Sequence, residues 1–320
     1  MRFLLRKALG EAIWPWLACA AALLAYAWLR VWLVAQLEMS NFQKIVLSLG
    51  DEFAKFSPIP LDQLFTYLGR VARTYGEPIV TMCVTAWAVS RGSDVVSGEL
   101  GRGTMEMVLS QPVSRRQILV SHAAVVTAGS ALLCAIVWLG IYLGVQTNQT
   151  TESVQPPLIT LPGYTIPNPW GEPVERVTPM REQLPMGPLL AGSANLFCLA
   201  FFMAGFAAWM SSWDRYRWRT IGIVIAFLIA QSTLLYFSLA LESLGWLGWL
   251  TVFTAYNPER FISAANQRPG AWLEWSYFDT AGDWAGPGML AANLTLLSLG
   301  ALAYGLAGLT FRRRDLPPPL

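Results

Sequence analysis

The sequence predicts an all-α, polytopic membrane protein with six transmembrane helices, on three grounds. Of its 320 residues, 54% are hydrophobic and 13% charged, with a mean hydropathy of +0.43, a composition too apolar for a water-soluble globule of this length. Apolar runs of spanning length recur along the chain. The charges, which sum to +2, are segregated into alternating basic and acidic segments, and so near-neutral a balance gives no argument for nucleic acid.

Crossing a hydrocarbon core of about 30 Å takes roughly 20 apolar helical residues. The first span, 12–36, follows Arg2, Arg6 and Lys7. That start has the outline of a secretory signal, but the apolar stretch runs too long and has no convincing cleavage site, so it reads as a retained anchor. The second span, 78–98, opens with Pro78 and then carries Arg91 and Asp94, so hydropathy alone scores it poorly and topology decides in its favour. Arg91 and Asp94 stand three apart on a helix and form a candidate intramembrane charge pair. Snorkelling to the interface serves such residues equally well near a span's inner end. The remaining spans are 117–145, 190–212, 219–241 and 287–311.

Six crossings from a cytoplasmic N-terminus place both termini inside. Arg2, Arg6, Lys7, Arg102, Arg115, Arg116, Arg215, Arg217, Arg219 and Arg312 to Arg314 then fall on the inner face, as the positive-inside rule requires. Glu38, Asp51, Glu52, Asp62, Glu152, Glu172, Glu175, Glu182, Glu274, Asp279 and Asp283 collect outside. The expected location is the cytoplasmic (inner) membrane. The outer loops are 38–77 and 146–189, the second so rich in proline from Pro156 to Pro188 that it reads as extended and turn-rich. From Ser243 to Tyr256 runs an apolar stretch too short to cross. It makes 243–286 a re-entrant or outer segment, with its tryptophans and Trp272, Trp275 and Trp284 at headgroup level.

The inner segment 99–116 carries the functional signal. Thr104 is expected to cap a short helix from Met105 to Ser110, with Glu106 at its positive end and Pro112 preventing its continuation. Met105, Val108 and Leu109 then share one side, an apolar knob suited to a partner's groove. As an ordinary basic loop, the same residues would need no partner.

In its order of residue types this stretch resembles the ABC type-2 permeases, which read approximately E-x-x-x-G-T-x-x-x-L-x-x-P-[VIL]-S-R-x-x-[IVL]. The matching positions are Glu99, Gly103, Thr104, Leu109, Pro112, Val113, Ser114, Arg115 and Ile118, and the end from Phe311 to Leu316 resembles the family's basic terminus. The resemblance implies an amphipathic elbow helix over 1–11, six spans, a re-entrant hairpin between spans five and six, and a coupling helix between spans two and three. It also implies cassette ATPase subunits docking on Glu99, Gly103, Thr104, Met105, Glu106, Val108, Leu109, Pro112, Arg115 and Arg116, and a second permease chain. His122 stands where the family commonly has lysine, and Arg91 is unusually charged for a second span.

No enzymatic site is legible. A P-loop needs a lysine preceded by glycine, and Lys7, Lys44 and Lys55 do not qualify, so no cofactor is expected here and ATP and Mg belong to the partner ATPase. No H-E-x-x-H or G-x-S-x-G occurs. Cys19, Cys83, Cys134 and Cys198 sit in apolar runs without C-x-x-C spacing, which argues against a disulfide framework or zinc site. Secondary transport by ion coupling is disfavoured because the spans hold almost no carboxylates. Two readings remain: an exporter permease for an amphipathic or hydrophobic substrate, and an accessory subunit with a permease-like fold and no transport of its own.

Overall fold

The computed structural model describes residues 2–36, 66–154, 157–161, 164–167, 174–278 and 284–314. The outer loop expected over 38–77 lies outside the described residues as far as position 65, as does the end of the basic C-terminal motif.

Helix α1 runs unbroken over Arg2–Gln36. The separate elbow helix expected over 1–11 is therefore the opening of this one helix. Leu4, Ala8 and Ala12 recur every four residues on one face, Leu4 packing with Val108 and Ile118 and the two alanines with Val125, so a continuous helix buries them all. Helix α2 (Tyr67–Ala72) is capped by Thr66, whose hydroxyl accepts from the Gly69 amide at 3.0 Å, and continues as a 3-10 turn over Arg73–Tyr75. Helix α3 (Pro78–Ser93) starts on a proline, whose missing N–H costs nothing at a first position. It passes through a π-turn (Asp94–Gly98) into α4 (Glu99–Gly101), followed by α5 (Met105–Leu109).

Ser114 and Gln117 form a reciprocal capping box that opens α6 (Arg115–Thr147). The proline-rich segment folds into two antiparallel pairs, β1 (Gln149–Val154) with β4 (Val174–Pro179) and β2 (Pro157–Leu161) with β3 (Tyr164–Pro167), Gln149 facing Pro179 and Val154 facing Val174. A short α7 (Met180–Gln183) leads into α8 (Leu189–Trp213), then α9 (Arg217–Ala240). The apolar run after it forms 3-10 segments Glu242–Leu250 and Val252–Ala255. They fold back onto α9 through Gln231, whose carbonyl accepts from Thr251 Oγ1 at 2.9 Å and whose Oε1 accepts from the Val252 amide at 2.8 Å. Trp246 and Trp249 are exposed here. Helix α10 (Pro258–Gln267), the hairpin of β5 (Ser276–Phe278) and β6 (Trp284–Pro287), and α11 (Met289–Arg313) complete the fold.

Among the described residues, five helices are long and apolar enough to cross a membrane: α1, α6, α8, α9 and α11. The second predicted span, 78–98, is not among them; it is the 16-residue α3 carried on by the π-turn. Helix α8 is the hub, packed by α11, α3, α6, α9 and α10, while α1 lies along α6. Small residues let α8 be approached closely, with Ala200, Ala204, Ala207 and Ala208 buried. Asn195 pins three elements to it: its Nδ2 donates to Asn293 Oδ1 at 2.8 Å and the Ala255 carbonyl at 3.0 Å, and its Oδ1 accepts from the Asn257 amide at 3.0 Å.

Candidate functional site

The segment from Asp94 to Arg115 is built on a break in helical register. Asp94 and Glu99 are five residues apart, about 140° around an α-helix, so they would face different ways. A π-turn brings positions five apart into line. The wider turn has amides to satisfy, and Ser211 of α8 meets them: its hydroxyl accepts from the Val96 and Ser97 amides at 3.2 and 2.9 Å and donates to the Ser93 carbonyl at 2.7 Å. Helix α4 then stops at Gly103, whose φ of +69° is the left-handed conformation that ends helices and that side chains resist. Its amide donates to the Leu100 carbonyl at 3.1 Å and that of Thr104 to Glu99 at 3.0 Å.

With both carboxylates aligned, an ion-pair network closes over them. Asp94 and Glu99 are 2% and 1% exposed. Arg102 bridges them, Nη1 to Asp94 Oδ1 at 2.7 Å and Nη2 to Glu99 Oε1 at 3.0 Å. Lys7 of α1 donates to both oxygens of Glu99, at 2.8 and 2.7 Å. Arg217 of α9 stands 3.4 Å from Asp94, and the Arg91 guanidinium 3.6 Å, so the pair expected between Arg91 and Asp94 is present but is one contact among several. Glu11 joins at the rim, 3.8 Å from Lys7 and 3.9 Å from Arg102. Burial opposes ionisation of Glu99, but hydrogen bonds from Lys7 and Thr104 and the charges of Lys7 and Arg102 outweigh it and hold the carboxyl below the usual glutamate range. Four helical elements, α1, α3, α4 and α9, are thereby tied together at one end of the bundle.

The short helix that follows differs from its expected arrangement in two ways. Thr104 occupies the cap position of α5, but its hydroxyl makes no capping bond; it donates to the Glu99 carboxylate, a stronger acceptor close by. The apolar side of α5 also turns inward. Met105 is 1% exposed and packs with Val95, Val96, Leu119, Ala208, Ala307 and Phe311, while Val108 packs with Leu4 and Ile118. Leu109 lies partly buried against both clusters. A groove inside the chain's own bundle was available to these side chains, and they fill it. What α5 leaves outside is Glu106, Met107, Ser110 and, just beyond, Gln111 and Pro112, with Met107 70% exposed. Arg116 is exposed too. Arg115 is not free for a partner's acid: its Nη1 donates to the Phe311 and Arg314 carbonyls at 2.8 and 2.6 Å, closing the C-terminus of α11.

Lys7, Arg102, Arg217 and Ser211 escaped the sequence reading as site residues. Positive charge near a membrane boundary has a sufficient explanation in topology, and only the π-turn at 94–98 shows which carboxylates these groups serve.

Five helices long and apolar enough to cross a membrane, with buried carboxylates clamped at the basic end of the bundle and α5 beside them, describe a multi-pass membrane protein. The chain belongs to the family described as ABC-2 family transporter protein, which matches residues 31–316. It is an ABC-2 type permease. A search of curated proteins returned no match.

Proposed function

We propose that this chain is the membrane-spanning permease subunit of an ATP-driven exporter, with six spans, its basic end in the cytoplasm of the inner-membrane face, and a separate cassette ATPase docked on the outer side of α5. The observation that carries the reading is the contrast across that one helix. Its inner side is locked into the bundle by Met105 and Val108, and its outer side offers Met107 to solvent beside Glu106. A push on the outer side is thus passed through the ion pairs at Glu99 and Asp94 to α1, α3 and α9. The positive-inside rule orients this end toward the cytoplasm, where ATP is. In this reading α3 with its π-turn is the remaining span, its charges covered by partners from neighbouring helices. Two chains pair so that two ATPases each engage one α5, and α9, with Thr220 and Val224 its buried residues, supplies apolar surface for lipid or the second chain. The cargo is amphipathic or hydrophobic.

Leu109→Asp does not separate docking from folding, because Leu109 packs inside the chain. Met107→Asp does. Placing a carboxylate in an apolar partner groove costs about 3–5 kcal/mol when it is buried unpaired. The expected outcome is unchanged membrane insertion and thermal stability with loss of ATPase co-purification. Undiminished co-purification would remove α5 as the docking element.

A further inference from the structure

At the end of the bundle away from α5 lies a half-open cavity of about 780 Å³, bordered by α3, α8, α9, the start of α10 and the 3-10 segments that fold back on α9. Its volume is within the range of roughly 300–1,000 Å³ typical of small-molecule sites. The walls are apolar, with Met82, Leu199, Leu228, Leu235 and Phe253 contributing, and Glu259 and Arg260 stand together at the polar end.

These two charges are in different situations. Arg260 is engaged: its Nη2 donates to the Pro287 carbonyl at 2.9 Å, and its guanidinium lies over the rings of Phe261 and Tyr277 at 5.3 and 5.1 Å. The neighbouring Tyr256 hydroxyl is also committed, to the Tyr75 carbonyl at 2.5 Å. Glu259 is 8% exposed, and its Oε2 is buried with no hydrogen-bond partner among the described residues. The carboxylate is pressed against Gly76, where a Cβ would stand 2.8 Å from Oε1, so position 76 leaves room for it and for nothing larger. Of the cations nearby, Arg30 on α1 is taken by Glu77, and Arg73 favours the charge on Glu259 without forming an ion pair with it among the described residues. Burial pushes this carboxyl up toward its neutral form, Arg73 drawing it back only in part, so a cation brought into the cavity from outside would restore its charge.

We propose that this cavity binds an amphipathic cation, its apolar body between α3, α8 and α9 and its positive head at Glu259. As the cargo site of an exporter the cavity rests on the permease reading above; the binding itself does not.

The test uses the full-length chain in lipid nanodiscs and two probes of one shape and opposite charge, tetraphenylphosphonium and tetraphenylborate, with empty nanodiscs subtracted. The expected result is saturable binding of the cation, binding of the anion at least tenfold weaker, and at least a tenfold loss of cation affinity in Glu259→Gln. Leu228→Trp, which fills the apolar wall and leaves the carboxylate in place, lowers cation binding as well. Equal binding of the two ions by the wild-type chain, or undiminished cation binding by a folded Glu259→Gln, overturns the proposal. The comparison of ions needs no variant and decides the matter even where a variant does not fold. Failure of ATPase co-purification would instead strike the permease reading and leave the cavity standing.

Discussion

Both ends of the bundle bury carboxylates, and they treat them in opposite ways. At the basic end Asp94 and Glu99 are met by Lys7, Arg91, Arg102 and Arg217, with Thr104 adding a hydrogen bond. At the other end Glu259 keeps an oxygen with no hydrogen-bond partner among the described residues, although Arg260 is its neighbour in sequence. Burial alone therefore does not tell what a charge is for. A carboxylate surrounded by the chain's own cations is part of the framework, and removing it strands those cations. One left unsatisfied is, on the proposal above, open to a cation from outside the chain.

The largest expected effect follows from that difference. Glu99→Gln leaves Lys7 and Arg102 facing a neutral group, and because both cations are partly exposed and regain water the loss is about 1.5–3 kcal/mol, that of hydrogen bonds to a charged group. Glu259→Gln removes a charge that makes no ion pair among the described residues and that burial already disfavours, so its stability stays near that of the wild type or rises. Thermal unfolding of the two variants in detergent measures both, and equal losses would erase the distinction between the two ends.

A pH series sharpens the same contrast. The folded carboxyl of Glu99 lies below its unfolded value, so its contribution is complete above about pH 4.3, the ordinary glutamate value, and is lost as pH falls through the folded value. The stability gap between wild type and Glu99→Gln should therefore be constant near neutrality and narrow on acidification below about 4.3. A gap that widens there would show that Glu99 is not held by cations.

The smallest effect is expected at Gly103. Alanine there keeps every ion pair but must adopt the left-handed conformation, at about 1–2 kcal/mol. A loss as large as that of Glu99→Gln, measured by the same unfolding curve, would mean that the turn and not the charges sets the rigidity of this end.

Much of this architecture was legible in the sequence because length and apolarity set the spanning helices, and because the Glu99 to Arg115 pattern names a turn, a helix and a stop in order. The orientation of α5 was not legible. In a helix of five residues, Met105, Val108 and Leu109 share a side whether that side faces a partner or the chain's own Phe311 and Ile118. The alignment of Asp94 with Glu99 was hidden for a different reason, since α-helical spacing separates them and the π-turn that unites them has no residue signature. Asn195 and Glu259 were passed over because their roles depend on elements distant in the chain, Asn293 and Ala255 for one, Gly76 for the other.

The central claim is that an ATPase engages the outer side of α5 and not the opposite end. A photo-crosslinking amino acid placed at position 107, and separately at position 246, tests it in native membranes. Both parent side chains are exposed, at 70% and 59%, so both probes are accessible. Irradiation followed by mass spectrometry of the adducts should yield, from position 107, a protein containing a G-x-x-x-x-G-K-[ST] phosphate loop, and no such adduct from position 246. An ATPase adduct at 246, or adducts at 107 that never contain that loop, would contradict the account.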